Sequence, residues 1–501
     1  MTEHGRVRVR FAPSPSGDLH VGNVRTALYD WAFARSTGGT YVLRIEDTDR
    51  SRVTPAYIDS AQDTLRWLGL DWDEGPGIGG RYGPYLQSQR LDIYAEWVDR
   101  FLKDGHAYYC YCTPEELAQR REAARQAGGP SGYDGHCRDL TPGQAAAYEA
   151  EGRQPVVRFR MPPGSTTFTD LIRGQVTFDH AHVPDFTLTR SDGAPLYTLA
   201  VAVDDVLMQI THVVRGEDLL SSTPPQIAVY RAMGVPEDRF PVFAHLPYVL
   251  GPNGQKLSKR NGVLSVNWYR EEGFLPEAIC NYLALLGWSP GENREEFTMA
   301  EMAAEFDLAK VNKNAAQFDV DKLRAINGDK IRALAPADFA GRITPFLAAG
   351  GLVADPPTGA EAELIAASAP LIQTRITTLA EAPGMLGFLF ADEAKFTVDP
   401  DDAARTLTAD MERVLTAAEA ALARLEPWTY EAIEAALRAA LVDGLGLKPR
   451  AAFSGALRVA VTGKRSGPPL FQSIALLGRE RTLHRLASAR AVAAGNGEPV
   501  G

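Results

Sequence analysis

The apolar positions near the start of the chain change their spacing twice. "VRVRF" (Val7–Phe11) is a strand-like run, whereas Val24, Ala27, Leu28 and Trp31 recur at i, i+3, i+4, i+7, one face of a helix. Between them lies a stretch punctuated by Pro, Ser and Gly that ends in His20. A second β-rich run, Tyr41–Ile45, stops abruptly at Glu46, Asp47 and Asp49. The spacing predicts a βαβ unit with its helix over Gly22–Ser36. A tight loop entering a helix N-terminus suits phosphate, because backbone N–H groups and the positive dipole end converge there. In open α/β sheets ligands sit at the carboxyl ends of the strands, where the acidic cluster would face a cationic group. The same cluster also reads as a solvated turn.

From Leu91 to Pro195 the pattern is mixed. Thr113 with Glu116 forms a capping box, with Pro114 at the first helical position. The segment then turns strand-rich in "VVRFRMP", "QVTFDH" and "DFTLTRSDG", as an insertion between two halves of a nucleotide-binding fold. The α/β pattern returns at "PLYTLAVAVDD", "ITHVVRGEDLLSSTPPQIAVYRAMG" and "PVFAHLPYVL". Beyond "KLSKR" the chain reads as helices almost without strands. Thr298 and Glu301 make another capping box, and Met411, Val414, Leu415, Ala418, Leu422 and Leu425 hold helical spacing, as do Ile433, Leu437 and Leu441. No internal repeat is visible.

Composition narrows the class without naming it. A chain of 501 residues implies roughly three to five domains. The 45% apolar and 23% charged content is that of a folded, soluble protein. "MTEHGRVRVR" lacks the apolar core of a signal peptide, and no long uncharged apolar run occurs, so a cytoplasmic protein without membrane contact is expected. Four cysteines argue against a disulfide framework. The net charge of −11 weighs against nucleic acid, though local basic strips decide that question.

A second phosphate signal changes the picture. "GPNGQKLSKRNG" (Gly251–Gly262) sets Lys256, Ser258, Lys259 and Arg260 between Gly-rich flanks. Cations on a loop suit a polyphosphate whose charge must be stabilised as a reaction proceeds; alone, they read as solvated surface. "HVGN" (His20–Asn23) and "KLSKR" (Lys256–Arg260) resemble the HIGH and KMSKS signatures of class I aminoacyl-tRNA synthetases. The blocks "PSPSGDLHVGN", "RIEDTDRSR", "YDGHCRD", "PLYTLAVAVDD", "VVRGEDLLSSTPPQ", "KLSKRNG" and "GFLPEAICNYLALLGW" resemble, in order, the bacterial glutamyl-tRNA synthetases. The resemblance runs from Arg10 to near Leu486.

It implies a multidomain fold: an α/β Rossmann-type catalytic domain with an α+β insertion, then an all-α anticodon-binding region. The expected divisions are 1–94 and 195–248 for the two Rossmann halves, 95–194 for an acceptor-stem-binding insertion, 249–332 for a stem-contact domain carrying KLSKR, and 333–501 for the helical region. The implied reaction has L-glutamate attack the α-phosphorus of ATP, supplied with Mg2+, giving glutamyl-adenylate and pyrophosphate, and then transfers the glutamyl group to the terminal adenosine of tRNA(Glu), with tRNA(Gln) a further candidate. A monomer is expected.

The family's roles carry over to matching positions. His20 and Lys259 would stabilise charge on the phosphates, each such donor being worth about 2.7–4 kcal/mol. Gly22, Asn23, Lys256 and Ser258 would complete the ATP site; Asn23 departs from the family's second His, so no strong catalytic role is assigned to it. Arg10 and Arg215 would grip substrate carboxylates through bidentate guanidinium forks. Ala12, Ser14 and Tyr197 would add contacts, and Glu46 would hold the ammonium. Unpaired buried donors would reject glutamine by roughly 10⁴–10⁵, without a separate editing domain.

Cys110, Cys112, Cys137 and Asp139 resemble a zinc-binding region of some family members, with Asp139 where a final His is usual; three free thiols are the alternative. Cys280 reads as a core thiol. Basic strips for tRNA are sought in Lys310–Arg332, and Gln373 and Arg375 fall in a region used near the anticodon. A paralogue that glutamylates a base within tRNA stops after the catalytic domain, unlike this chain. A non-catalytic tRNA-binding factor on the same fold is the remaining alternative, opposed by the retention of both phosphate clusters.

Overall fold

The computed structural model describes every residue except 1–4, 50–52, 129–131, 252–253, 256, 258–264, 292–293 and 496–501. Two units emerge: Met1–Trp268 with Ile279–Asp319, and Tyr269–Ala278 with Val320–Gly501.

In the first unit, β1 (Arg8–Phe11), α1 (Val21–Ser36) and β2 (Thr40–Leu43) form the anticipated βαβ unit, with β1 and β2 parallel and Arg10 opposite Val42. The predicted helical stripe is buried, but so are Tyr29, Asp30 and Ala32, so α1 is enclosed on most sides rather than along one face. α2 (Pro55–Trp67) starts where the Thr54 side chain accepts from the Tyr57 N–H. α3 (Leu91–Lys103) leads into β3 (Ala107–Cys110), α4 (Pro114–Gln126), α5 (Pro142–Ala150) and β4 (Val156–Phe159), with β3 and β4 antiparallel. The Thr113–Glu116 capping box is present, its reciprocal bonds at 2.9 and 3.2 Å.

"DFTLTRSDG" differs from expectation. It runs beside β4, with Leu188 N–H donating to Val157 O at 2.7 Å, yet makes only isolated bridges. Pro184 and Pro195 flank it and lack N–H donors, so no longer ladder can propagate.

β5 (Ser165–Asp170) and β6 (Gly174–Asp179) make an antiparallel hairpin. α6 (Tyr197–Leu207), β7 (His212–Gly216), α7 (Thr223–Ala232) and β8 (Val242–Leu246) follow, and the sheet order is β6-β5-β8-β7, with β8 parallel to both neighbours. β1 lies beside β7, where Thr211 N–H donates to Arg8 O at 3.0 Å. Among the described residues, the one strand after the KLSKR segment is β10 (Ala316–Gln317), parallel to β9 (Val249–Leu250). Tyr94 and Phe101 of α3, Leu199, Ala200, Ala202 and Val203 of α6 and Val229–Tyr230 of α7 fill the core around Phe159 and Phe243.

Among its described residues the second unit holds helices and no strand. Helix Glu412–Ala423 buries Val414, Leu415, Ala418 and Leu422, and ends before Leu425. Ile433 and Leu437 are buried on helix Tyr430–Leu437; Leu441 is buried on the wider π-type turns of Arg438–Gly444.

Candidate active site

His20 is the N-cap of α1. Its Nδ1 accepts from the N–H groups of Gly22 (3.1 Å) and Asn23 (3.2 Å), while the Asn23 side chain accepts from His20 N–H at 3.5 Å. The imidazole therefore takes two of the backbone donors that the sequence offered to phosphate. With Nδ1 accepting, the ring proton of neutral His20 sits on Nε2. A Cβ at position 22 would lie 3.0 Å from His20 Cε1 and 3.1 Å from Nδ1, so any larger residue there presses on the ring folded over it. Asn23 serves the cap.

Arg10, at the end of β1, is buried, with Nε 3.0 Å from Asp205 Oδ1 and Nη2 3.4 Å from Oδ2. Arg44 shares the same carboxylate at 2.7 Å and reaches Glu46 Oε1 at 3.3 Å. Asp204 next door receives Arg90 (2.7 Å) and the Tyr94 hydroxyl (2.8 Å). Burial pushes the Asp205 carboxyl up, but Arg10 and Arg44 outweigh it and hold it below its ordinary value. At Glu46 burial wins, and its carboxyl is raised.

Arg215, in β7, is buried with a different escort. Nε donates to His245 Nε2 (3.1 Å), Nη1 to Gln226 Oε1 (2.9 Å) and Nη2 to Thr223 Oγ1 (2.9 Å), with the Tyr197 hydroxyl 3.4 Å from Nη1. His245 Nδ1 in turn lies 2.6 Å from Asp170 Oδ2.

His20, Arg10, Glu46 and Arg215 share one cleft of ≈ 290 Å³, at the lower end of the size usual for small-molecule sites, about 300 Å³. Arg10, Ala12, Ser14 and Glu46 line it from the first strand, its loop and the end of the second. His20, Gly22 and Asn23 line it from the start of α1, and Tyr197 and Arg215 from the second half of the fold. Lys256, Ser258 and Lys259 lie outside the described residues; Leu257, between them, lines the cleft.

The three cysteines also come together: Cys110, Cys112 and Cys137 place their Sγ atoms within 4.8 Å of one another. Hydrogen bonding from Cys137, ahead of Tyr133 and Arg158, holds the Cys110 thiol below its ordinary value despite burial, whereas burial raises Cys112. Asp139 is not drawn in. Its carboxylate is largely exposed and pairs with Arg160 at 2.9 Å, because the chain turns outward after the buried Cys137. Tyr133 Oη instead stands 3.4 Å from Cys110 Sγ. Cys280 is a buried core thiol, as expected.

Gln373 is occupied structurally: its amide donates to Ile331 O (2.9 Å) and Leu334 O (2.8 Å) at the end of helix Val320–Ala333. Arg375 is exposed. In the basic strip, Lys310 pairs with Asp307 and Arg324 with Glu381.

Sequence reading missed Arg44, Asp170, Asp204, Asp205 and His245. The one signal was "AVAVDD": adjacent carboxylates ending an apolar helix must meet cations if they are buried.

A βαβ unit whose helix is capped by His20, facing paired arginines across a cleft, is the catalytic half of a class I synthetase. The family model "tRNA synthetases class I (E and Q), catalytic domain" matches residues 6–325, and "Anticodon binding domain" matches 338–490. A glutamate–tRNA ligase of a Nocardioides species is 53% identical over 96% of this chain and 98% of its own length. One from Rhodococcus jostii is 52% identical over 98% and 99%. The solved structure of a glutamate tRNA ligase from Elizabethkingia meningosepticum, in complex with its amino acid, is 34% identical, covers 97% of this chain and 99% of its own, and superposes with a TM-score of 0.82. The chain belongs to the glutamate–tRNA ligase family.

Proposed function

We propose that the cleft activates L-glutamate with ATP and passes the glutamyl group to the terminal adenosine of tRNA(Glu). The observation that carries this reading is the convergence of His20, Arg10, Arg215 and Glu46 on one cleft. Glutamate brings two carboxylates and one ammonium, and two buried guanidiniums and one carboxylate are there to meet them. Glutamine cannot satisfy both guanidiniums, and a site left with unpaired buried donors discriminates steeply.

ATP enters as its Mg2+ complex. Its phosphates lie against the start of α1, where His20 Nε2–H is the ring's donor to charge developing in the transition state. Lys256, Ser258 and Lys259 are assigned to the phosphates by their match to the family signature, with Leu257 in the cleft wall as support. Lys259→Ala is expected to lower turnover about 10²–10³-fold and leave the glutamate KM nearly unchanged. An equal effect on both constants removes its assigned role.

The cysteine cluster is read as a zinc site that fixes the inserted segment. Three sulfurs around one Zn2+ stand about 3.8 Å apart at ~2.3 Å bonds, and Cys112 and Cys137 are already at 3.5 Å. When bound, the ion supplies a cross-link rather than chemistry. Cys110, Cys112 and Cys137 would hold it, with Tyr133 Oη rather than Asp139 beside them.

Aminoacylation of purified tRNA(Glu) and tRNA(Gln) tests the acceptor. Charging of tRNA(Glu) alone defines a discriminating enzyme; charging of both defines a non-discriminating one. Binding without charging of either returns the non-catalytic factor.

A further inference from the structure

We propose that His245, held by Asp170, is a positioning residue for Arg215: the buried chain Asp170–His245–Arg215 fixes which guanidinium N–H groups meet the substrate carboxylate. The identity of that substrate rests on the function proposed above.

The two arginines of the cleft are held in opposite ways. Arg10 is met directly by the Asp205 carboxylate, which it shares with Arg44. The hydrogen-bond partners of Arg215 are all uncharged: His245, Gln226, Thr223 and Tyr197. A carboxylate placed against Arg215 would orient it equally well, but would also neutralise the charge the substrate needs. An imidazole interposed between Asp170 and Arg215 accepts the Nε–H while keeping the anion one ring away. The positive charge of Arg215 is thereby reserved for the ligand.

The hydrogen bonds define one tautomer. Arg215 has only donors, so His245 Nε2 must be the acceptor, and the ring proton sits on Nδ1, donating to Asp170 Oδ2. Asp170 Oδ1 also accepts from the N–H groups of Ile172 (2.9 Å) and Arg173 (2.8 Å), and Oδ2 accepts from the His245 N–H (3.0 Å). The hydrogen bond from the His245 ring, ahead of the Arg173 and Ile172 N–H groups, holds the Asp170 carboxyl below its ordinary value despite burial. Asp170 ends β5, the strand joined to β8, so the strand-rich segment itself supplies the anchor.

A proton on His245 Nε2 would set donor against donor and cation against cation. The groups facing the ring are Asp170 from β5, Arg215 from β7 and Thr223 from α7, with Arg173 bonded to the His245 carbonyl. Burial, ahead of Arg215, keeps the imidazole below its ordinary value, so the neutral form persists at physiological pH.

Two substitutions separate positioning from folding. His245→Asn keeps a donor near Asp170 and removes the acceptor from Arg215; His245→Gln can return an oxygen acceptor near the Nε2 position. His245→Asn is expected to raise the glutamate KM about 10–100-fold, the range seen for outer-sphere partners at metal sites, with the ATP KM within about twofold. His245→Gln should recover part of that loss. An unchanged glutamate KM, or an equal rise in both KM values, overturns the proposal. Should His245→Asn not fold, 15N chemical shifts of the His245 ring in the native enzyme decide. A neutral ring protonated on Nδ1 supports the chain, and an Nε2–H tautomer or an imidazolium at neutral pH overturns it. Absence of any glutamate-dependent activity in the native enzyme would instead sink the proposed function, leaving the tautomer result standing.

Discussion

Asp30 sits in the middle of α1, fully buried, and both its carboxylate oxygens lack a hydrogen-bond partner. Burial raises its carboxyl well above the ordinary value, against the pull of Arg10. The sign follows: the unfolded chain ionises near pH 4 while the folded form stays protonated. Stability is thus fully present below that pH and declines as pH rises toward the folded value, by about 1.4 kcal/mol per unit. Asp30→Asn should match the wild type near pH 4 and exceed it in thermal midpoint at pH 8; parallel pH profiles would refute this. That His20, Arg10, Arg215, Glu46 and Tyr197 share one cleft was legible because each stands in a local motif. His245 and Asp170 were not, being 75 residues apart and joined only by the pairing of β5 with β8. Asp139 misled for the converse reason: proximity in sequence to Cys137 does not set the direction of a side chain.

In the proposed reaction the start of α1 does two jobs, and they can be separated. His20 caps the helix through Nδ1 and offers Nε2–H as the ring's donor. Asparagine is a good N-cap but has no donor at that reach. His20→Asn should therefore leave the thermal midpoint within a few degrees and lower turnover about 10²–10³-fold. His20→Ala should lose the same turnover and also about 1 kcal/mol of stability. Equal stability of the two variants would deny the cap. For the inserted segment, metal analysis of the purified chain should find one zinc, and a chelator should lower its thermal midpoint; no zinc after preparation in its presence leaves three free thiols. The βαβ unit and the capping boxes could be read ahead of the structure because period and cap chemistry are local. The behaviour of "DFTLTRSDG" could not, since strand formation depends on a neighbour with donors and acceptors in register.

The chain carries a net charge of −11 yet belongs to a family that handles tRNA, so phosphate contacts must be local. Its affinity for tRNA should fall steeply with salt, and a salt-independent affinity would contradict a phosphate-mediated interface. Gln373, tied to backbone carbonyls, should contribute to stability and not to anticodon discrimination. Catalysis, in this account, needs the first unit's cleft to hold glutamate and ATP in line. The direct measurement is glutamate-dependent exchange of pyrophosphate into ATP, with and without tRNA(Glu). Exchange that requires tRNA is predicted; no exchange in either condition, by a chain that still binds tRNA tightly, would contradict the account.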